Sequence, residues 1–166
     1  MAINARLQAH FDRVRSAYAV LSHEDAFTTL KVARSAHVMG WLMAKVVVFR
    51  DAAGSDFMVV LPADEHVDGH VLQVITGRGG VRLEDENELE RLFPDCELGT
   101  MPPFGFLYHM PMFVDPCLLT GDDLFFQAGN HHEIVLMRCT EYERIAGPYF
   151  IRGCLHREAA AVAWSA

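Results

Sequence analysis

The sequence predicts an α+β fold, with a central mixed, mostly antiparallel sheet or pseudo-barrel of about six to seven strands ringed by helices. Two patterns predict it. Helical and strand periodicities are interleaved along the chain, with no internal repeat and no Pro/Gly/Ser linker between them. The strands also come in hairpins as well as crossovers, which disfavours a doubly wound parallel sheet.

Leu7, Phe11 and Val14 recur at helical spacing, and Asn4 is suited to cap that helix. Residues 17–22 fit either a continuation of the helix or a strand. Thr28 or Thr29 caps a second helix to about Val38, with Gly40 as its stop. The β-branched run from Ala44 to Arg50, the turn from Asp51 to Ser55 and the run from Asp56 to Leu61 read as a hairpin stopped by Pro62. Asp68 opens a short helix through Ile75 that closes at Gly77, and Val81–Leu83 follows as a short strand. An acidic helix spans about Glu84 to Leu92, with Pro94 just beyond it. Short strands are expected at 111–115, 124–127 and 133–137. Thr140 and Glu143 have capping-box spacing for a last helix, and the tail from Gly147 is mixed.

The 166 residues suit one domain, 51% of them are hydrophobic, and the formal net charge is −8. That balance excludes a general nucleic-acid coat or DNA binder and a polybasic membrane binder, which need cationic surfaces. No apolar run approaches the ~20 residues of a bilayer span, and the N-terminal segment carries charges where a signal peptide would be apolar. A cytoplasmic location is expected. Cys96, Cys117, Cys139 and Cys154 are scattered, without a CxxC pair, and are expected to be free thiols in such a compartment.

Three features can carry chemistry. Lys45 interrupts an apolar run from Val38 to Phe49; such a lysine either snorkels to water or holds its charge at a site. Gly99-Thr-Met-Pro-Pro103 joins a flexible glycine to two residues of fixed φ and no amide hydrogen, so it is either a connector or a rigid loop offering its remaining amides to a ligand. Gly129-Asn-His-His132-Glu133 invites a metal reading, but adjacent residues of a strand point to opposite faces, so no metal site is expected. A polar turn, or one histidine binding a substrate, remains. Walker, GxSxG and HExxH motifs are absent.

Taken in order, Leu21-Ser-His23, Phe27-Thr-Thr29, Ala44-Lys45-Val-Val-Val48, Val60-Leu-Pro62, Leu92-Phe-Pro-Asp-Cys-Glu97, the Gly99–Pro103 loop, Val114-Asp115 and Phe126-Gln-Ala-Gly129 resemble the YbaK/EbsC family of prolyl-tRNA-editing-type aminoacyl-tRNA deacylases. The resemblance implies a YbaK-type editing domain over 1–146; the tail, 147–166, lies outside it, and its aromatic and apolar residues are expected to pack on the core or at an oligomer contact. It implies metal-independent and cofactor-free hydrolysis of the ester of a mischarged tRNA, with a small amino acid on a proline tRNA as substrate. Lys45 matches the family's site lysine. Gly99, Thr100, Met101, Pro102 and Pro103 match the loop that cradles the aminoacyl group. Gly129 lies on the pocket-lining segment and Glu133 matches an acidic site residue; Asn130 and His131 stand where better-known branches are Gly/Lys/Arg-rich and are taken as substrate-binding with Phe27 and His23, with Leu30 as a further wall. The expected partner is the tRNA acceptor end, with an aminoacyl-tRNA synthetase as a second. Val46, where better-known branches carry a small polar residue, keeps an alternative open: a non-catalytic module that binds a tRNA end, a nucleotide or a synthetase.

Overall fold

The computed structural model describes residues 3–23 and 28–151. Among these the chain order is α1 (Ala5–Val14), β1 (Ala19–Ser22), α2 (Thr29–Ser35), β2 (Met43–Arg50), β3 (Asp56–Pro62), α3 (Gly69–Thr76), β4 (Arg82–Leu83), α4 (Glu86–Leu92), β5 (Met112–Val114), β6 (Asp123–Gln127), β7 (Glu133–Arg138), α5 (Cys139–Ala146) and β8 (Tyr149–Phe150), with short 3₁₀ turns between several of them. The sheet has eight strands in the order β1-β7-β6-β2-β3-β5-β8, and β4 pairs with β2 beside this path. The β1–β7, β6–β7, β2–β3 and β2–β4 pairs are antiparallel, while β2–β6, β3–β5 and β5–β8 are parallel. The expected mixed sheet is present, and its count exceeds the expected six to seven because β4 and β8 are two-residue strands.

Each face of the sheet buries a different cluster, as strand alternation requires. Ala44, Val48, Met58, Val60, Val114, Leu124, Phe126, Val135 and Met137 face the main core, closed by Leu7 and Phe11 of α1, Phe104, and Tyr142 of α5. Phe49, Phe57, Val59 and Leu61 point the other way, against Leu72 of α3. Met43 and Ile134 lie on that second face under Val32 and Ala33 of α2.

Several elements differ from their sequence-based expectations for local reasons. Residues 19–22 form the outer strand β1 because α1 is closed first: Arg15 takes a left-handed φ of 51° and the Ser16 amide returns to the Phe11 carbonyl at 3.0 Å. Helix α2 stops at Ser35 rather than Val38; His37 takes φ 56° and the Val38 amide bonds the Ala33 carbonyl at 2.7 Å. Helix α4 begins at Glu86 because Glu84 continues the β4 contact to β2, its amide meeting the Val48 carbonyl at 3.0 Å. Thr140 is no N-cap: β7 runs directly into α5 at Cys139, whose amide is taken by the Asp122 carbonyl at 2.9 Å.

Cysteine chemistry is also corrected in part. Cys96 and Cys139 are free, but Cys117 is disulfide-bonded, with its partner outside the described residues. Scatter along the sequence does not reveal which thiols a fold brings together.

Glu141 ties α5 to the end of α1. Arg144 clasps its carboxylate at 2.6 and 2.8 Å, and the Ala17 amide adds a bond at 3.4 Å. The Arg144 hydrogen bond leads in pulling the Glu141 carboxyl down from 4.5 to about 2. A carboxylate with a depressed folded pKa stabilises above its unfolded pKa, and that contribution fades as the pH falls through the folded value. Urea titrations should therefore show Glu141→Gln less stable than wild type at pH 7, with the gap narrowing below about pH 4.5 and closing near pH 2.

Candidate active site

The residues singled out above fall in neighbouring rows of the sheet. Here β2 begins, Met43 and Ala44 lying beside Phe125 and Phe126 of β6. Strand β6 runs parallel to β2, so β7 starts partway along β2, level with Lys45 and Val46, with Glu133 opposite Ser22 of β1, while β3 finishes where β2 begins, with Pro62 opposite Ala44. Strand β5 leaves there too, Val114 lying beside Val60. The register thus brings Lys45, Gln127, the 129–133 turn, His23 and Asp115 into neighbouring rows.

Lys45 is half-buried and lies on the sheet face of Met43 and Val47, opposite the main core. Its ammonium donates to the Glu65 carbonyl, just past the end of β3. The charge is therefore anchored on the backbone rather than left on a free stem. Val46 turns to the other face and packs on the main core. Nearby, the buried Gln127 accepts a hydrogen bond from the Thr29 hydroxyl at 3.4 Å, which ties β6 to the first turn of α2.

The proline loop is held in place by backbone bonds. Gly99 takes φ +85°, a turn conformation open to glycine. The Thr100 amide and hydroxyl both donate to the Glu97 carbonyl, at 3.0 and 2.7 Å. The Gly129 amide donates to the Thr100 carbonyl at 2.9 Å, and the Glu97 amide to the Gly129 carbonyl at 3.0 Å. The Pro103 carbonyl accepts from the Tyr142 hydroxyl at 2.9 Å. Thr100 through Gly105 are all buried, and the Met101 side chain belongs to the main core. Pro102 and Pro103 have no amide hydrogen. Among the described residues, the Gly99 and Met101 amides make no hydrogen bond. A rigid loop with such amides can receive a developing negative charge without reorganising.

The 129–133 turn is built against this loop. Asn130 Oδ1 accepts from the His132 and Glu133 amides at 2.9 Å each, and its Nδ2 donates to Glu133 Oε2 at 3.0 Å. The His131 amide donates to Glu97 Oε2 at 2.7 Å, and its ring lies 4.0 Å from that carboxylate. The His23 amide donates to the His132 carbonyl at 2.9 Å. Buried Asp115 receives the Cys117 amide at 2.9 Å. Phe27 lies outside the described residues.

The structure joins the Gly99–Pro103 loop, Gly129, Asn130, His131, Glu133 and His23 into one hydrogen-bonded rim, while Lys45 approaches from the other sheet face. Leu30 stands beside the Lys45 side of the rim, since its Cδ1 and the Asp64 Cβ each lie 3.2 Å from a Cβ built on Gly40. Sequence reasoning missed Gln127 as a tie to α2 and Glu97 as the bridge to His131. Both stand in segments that carry the family resemblance, but local pattern does not show which distant partner each meets. Among the described residues, no group of three or more His, Cys, Asp or Glu side chains is placed to hold a metal ion. Cys96 is no activated thiol, because burial pushes it up to about 11. A cleft of about 550 Å³ lies away from this rim, at β5, β8 and the end of α5, and its Arg78 is already paired with Asp51 at 2.6 Å.

A family described as "Aminoacyl-tRNA editing domain" matches residues 23–145. The chain belongs to that family. The editing domain is also similar to the "Multifunctional Ser/Thr-tRNA deacylase ProXp-y" of Escherichia coli (strain K12), at 31% identity over 97 residues. That match covers 57% of this chain and 56% of the relative, so the chain spans about half the length of the curated relatives it matches. A crystal structure described as hypothetical protein APE2540 superposes with a TM-score of 0.78 at 20% identity, over 87% of this chain and 96% of that one. A candidate trans-editing enzyme for prolyl tRNA synthetase superposes with a TM-score of 0.75 at 18% identity, over 89% and 96%. At these identities the two structures establish the shared fold. No helix among the described residues is long and apolar enough to cross a membrane.

Gly129 joins the rim to α1. A Cβ on it would meet Asn4 Cβ at 2.8 Å, and its φ of +102° is strained for any other residue. Gly129→Ala should cost on the order of 1–3 kcal/mol of stability. Chemical denaturation of the variant measures that loss.

Proposed function

We propose that this editing domain hydrolyses the ester linking a wrong amino acid to the terminal ribose of a tRNA. The observation that carries the reading is a backbone-bonded loop whose Gly99 and Met101 amides make no hydrogen bond among the described residues, together with Lys45 held on β2, the strand beside β6. An activated ester needs no protein nucleophile. It needs a placed water, a donor for the carbonyl oxygen, and a fixed substrate.

In this mechanism a water oxygen adds to the ester carbonyl carbon while the Gly99 and Met101 amides receive the developing oxyanion. The bond from that carbon to the ribose oxygen then breaks, and the proton lost by the water is taken up by the ribose oxygen. The products are free amino acid and tRNA. Lys45 grips the terminal phosphate or ribose and sets the position of the ester. No step requires a metal. His23, Asn130, His131 and Glu133 shape the rim, and Leu30 lines the amino-acid side. Pocket size discriminates by only ~1–3 kcal/mol per methylene; the resemblance to the prolyl-tRNA-editing type makes small amino acids, alanine, serine or cysteine on a proline tRNA, the substrate class. The name of the similar Escherichia coli Ser/Thr-tRNA deacylase agrees with serine and adds threonine.

Amino-acid release from a panel of tRNAs carrying these residues tests the reading, with wild type and Lys45→Ala side by side. Wild type should release at least one of them. Lys45→Ala should lose on the order of 10²-fold in rate, with an unchanged thermal midpoint. Full activity in Lys45→Ala would remove the lysine from the site. Binding of tRNA without release across the panel would favour the non-catalytic module.

A further inference from the structure

We infer that the outward face of α2, through Lys31 and Arg34, is the strip that holds the sugar-phosphate backbone of the tRNA acceptor end. This rests on the tRNA-editing reading and names where that partner lies.

The chain carries a formal net charge of −8, so a polyanion can approach only where cations are locally unneutralised. Most described arginines do not meet that condition. Arg78 is paired with Asp51, Arg82 with Glu84, Arg6 with Asp95, and Arg50 with Asp56, Glu84 and Glu88. Arg91, Arg138 and Arg144 likewise sit on carboxylates. Arg13 and Arg15 carry no carboxylate partner among the described residues, but they lie at the end of α1 remote from the rim. It is the start of α1, at Asn4, that packs on Ala128 and Gly129.

Lys31 and Arg34 are different. Among the described residues neither forms an ion pair, and both are exposed. They are three residues apart, so they share one side of the helix. Val32 and Ala33 between them are fully buried against Met43 and Ile134, which turns both cations outward. The helix also adjoins the candidate site directly: Thr29 bonds Gln127, and Leu30 stands with Asp64 beside Gly40, next to the Glu65 carbonyl that anchors Lys45. A terminal nucleotide held at Lys45 would continue along α2, where successive phosphates meet Lys31 and Arg34. Binding of this kind is sequence-tolerant and salt-dependent.

The test compares wild type, Lys31→Gln/Arg34→Gln and the charge-matched Arg13→Gln/Arg15→Gln. Binding of an uncharged proline tRNA is followed from 20 to 200 mM salt. The α2 double variant should show a salt slope smaller by about 1.4–1.8 and roughly 10- to 50-fold weaker binding at 0.1 M salt, while the α1 variant keeps the wild-type slope. An unchanged slope in the α2 variant, an equal loss in both variants, or no binding of tRNA by wild type at 20 mM salt would overturn the strip. Hydrolysis of a short 3′-aminoacyl-adenosine ester separates this proposal from the editing reading. The α2 variant should hydrolyse it at the wild-type rate. Absence of that hydrolysis in wild type, with the slope change intact, would overturn the catalytic reading and leave the strip standing.

Discussion

The β2–β3 ladder runs unbroken from Ala44 opposite Pro62 to Arg50 opposite Asp56, and nearly every other placement refers to it. Its register is set at the turn, where Asp51 Oδ1 accepts from the Ala53 and Ser55 amides at 3.0 and 2.9 Å. It is set again at the last pair, where Arg50 bonds both oxygens of Asp56 at 2.8 and 3.1 Å. Glu84 joins this cluster with its side chain fully buried; burial first, then its hydrogen bond to Asp56, push its carboxyl up. A slip of one residue would exchange the two faces of β2. Lys45 would then point into the main core in place of Val46, where an unpaired ammonium costs several kcal/mol.

The other edge of β2 is divided between two partners. Strand β6 occupies its beginning and β4 its end. This division leaves Lys45 close to the rim. It also lets the segment after β6 turn back through Gly129, whose backbone is bonded on both sides, to Thr100 and to Glu97. The Gly99–Pro103 loop therefore depends on the same ladder as the lysine, although the two approach from opposite faces of the sheet.

Most of the loop's polarity is internally satisfied, so its form does not depend on a ligand. The two prolines reinforce this, since they restrict φ and cannot donate. A scaffold of this kind suits a reaction that asks for positioning and charge stabilisation rather than for a reactive side chain.

Much of the architecture was legible from local chemistry. The β2–β3 hairpin followed from β-branched runs around an Asp-led turn, and α1 and α3 from apolar spacing and caps at Asn4 and Asp68. The family match over residues 23–145 agrees with the order of short motifs from His23 onward. Tertiary structure decided the rest. Residues 19–22 are a strand because β7 offers them an edge, and Glu84 leaves its helix because Val48 offers its amide a partner. The union of the 129–133 turn with the proline loop, the role of Gln127, and the sorting of cations into neutralised and open ones are long-range contacts. Local pattern determines which residues can form an element and which face it buries; it does not say which distant group meets each polar atom, and the site is made of those meetings.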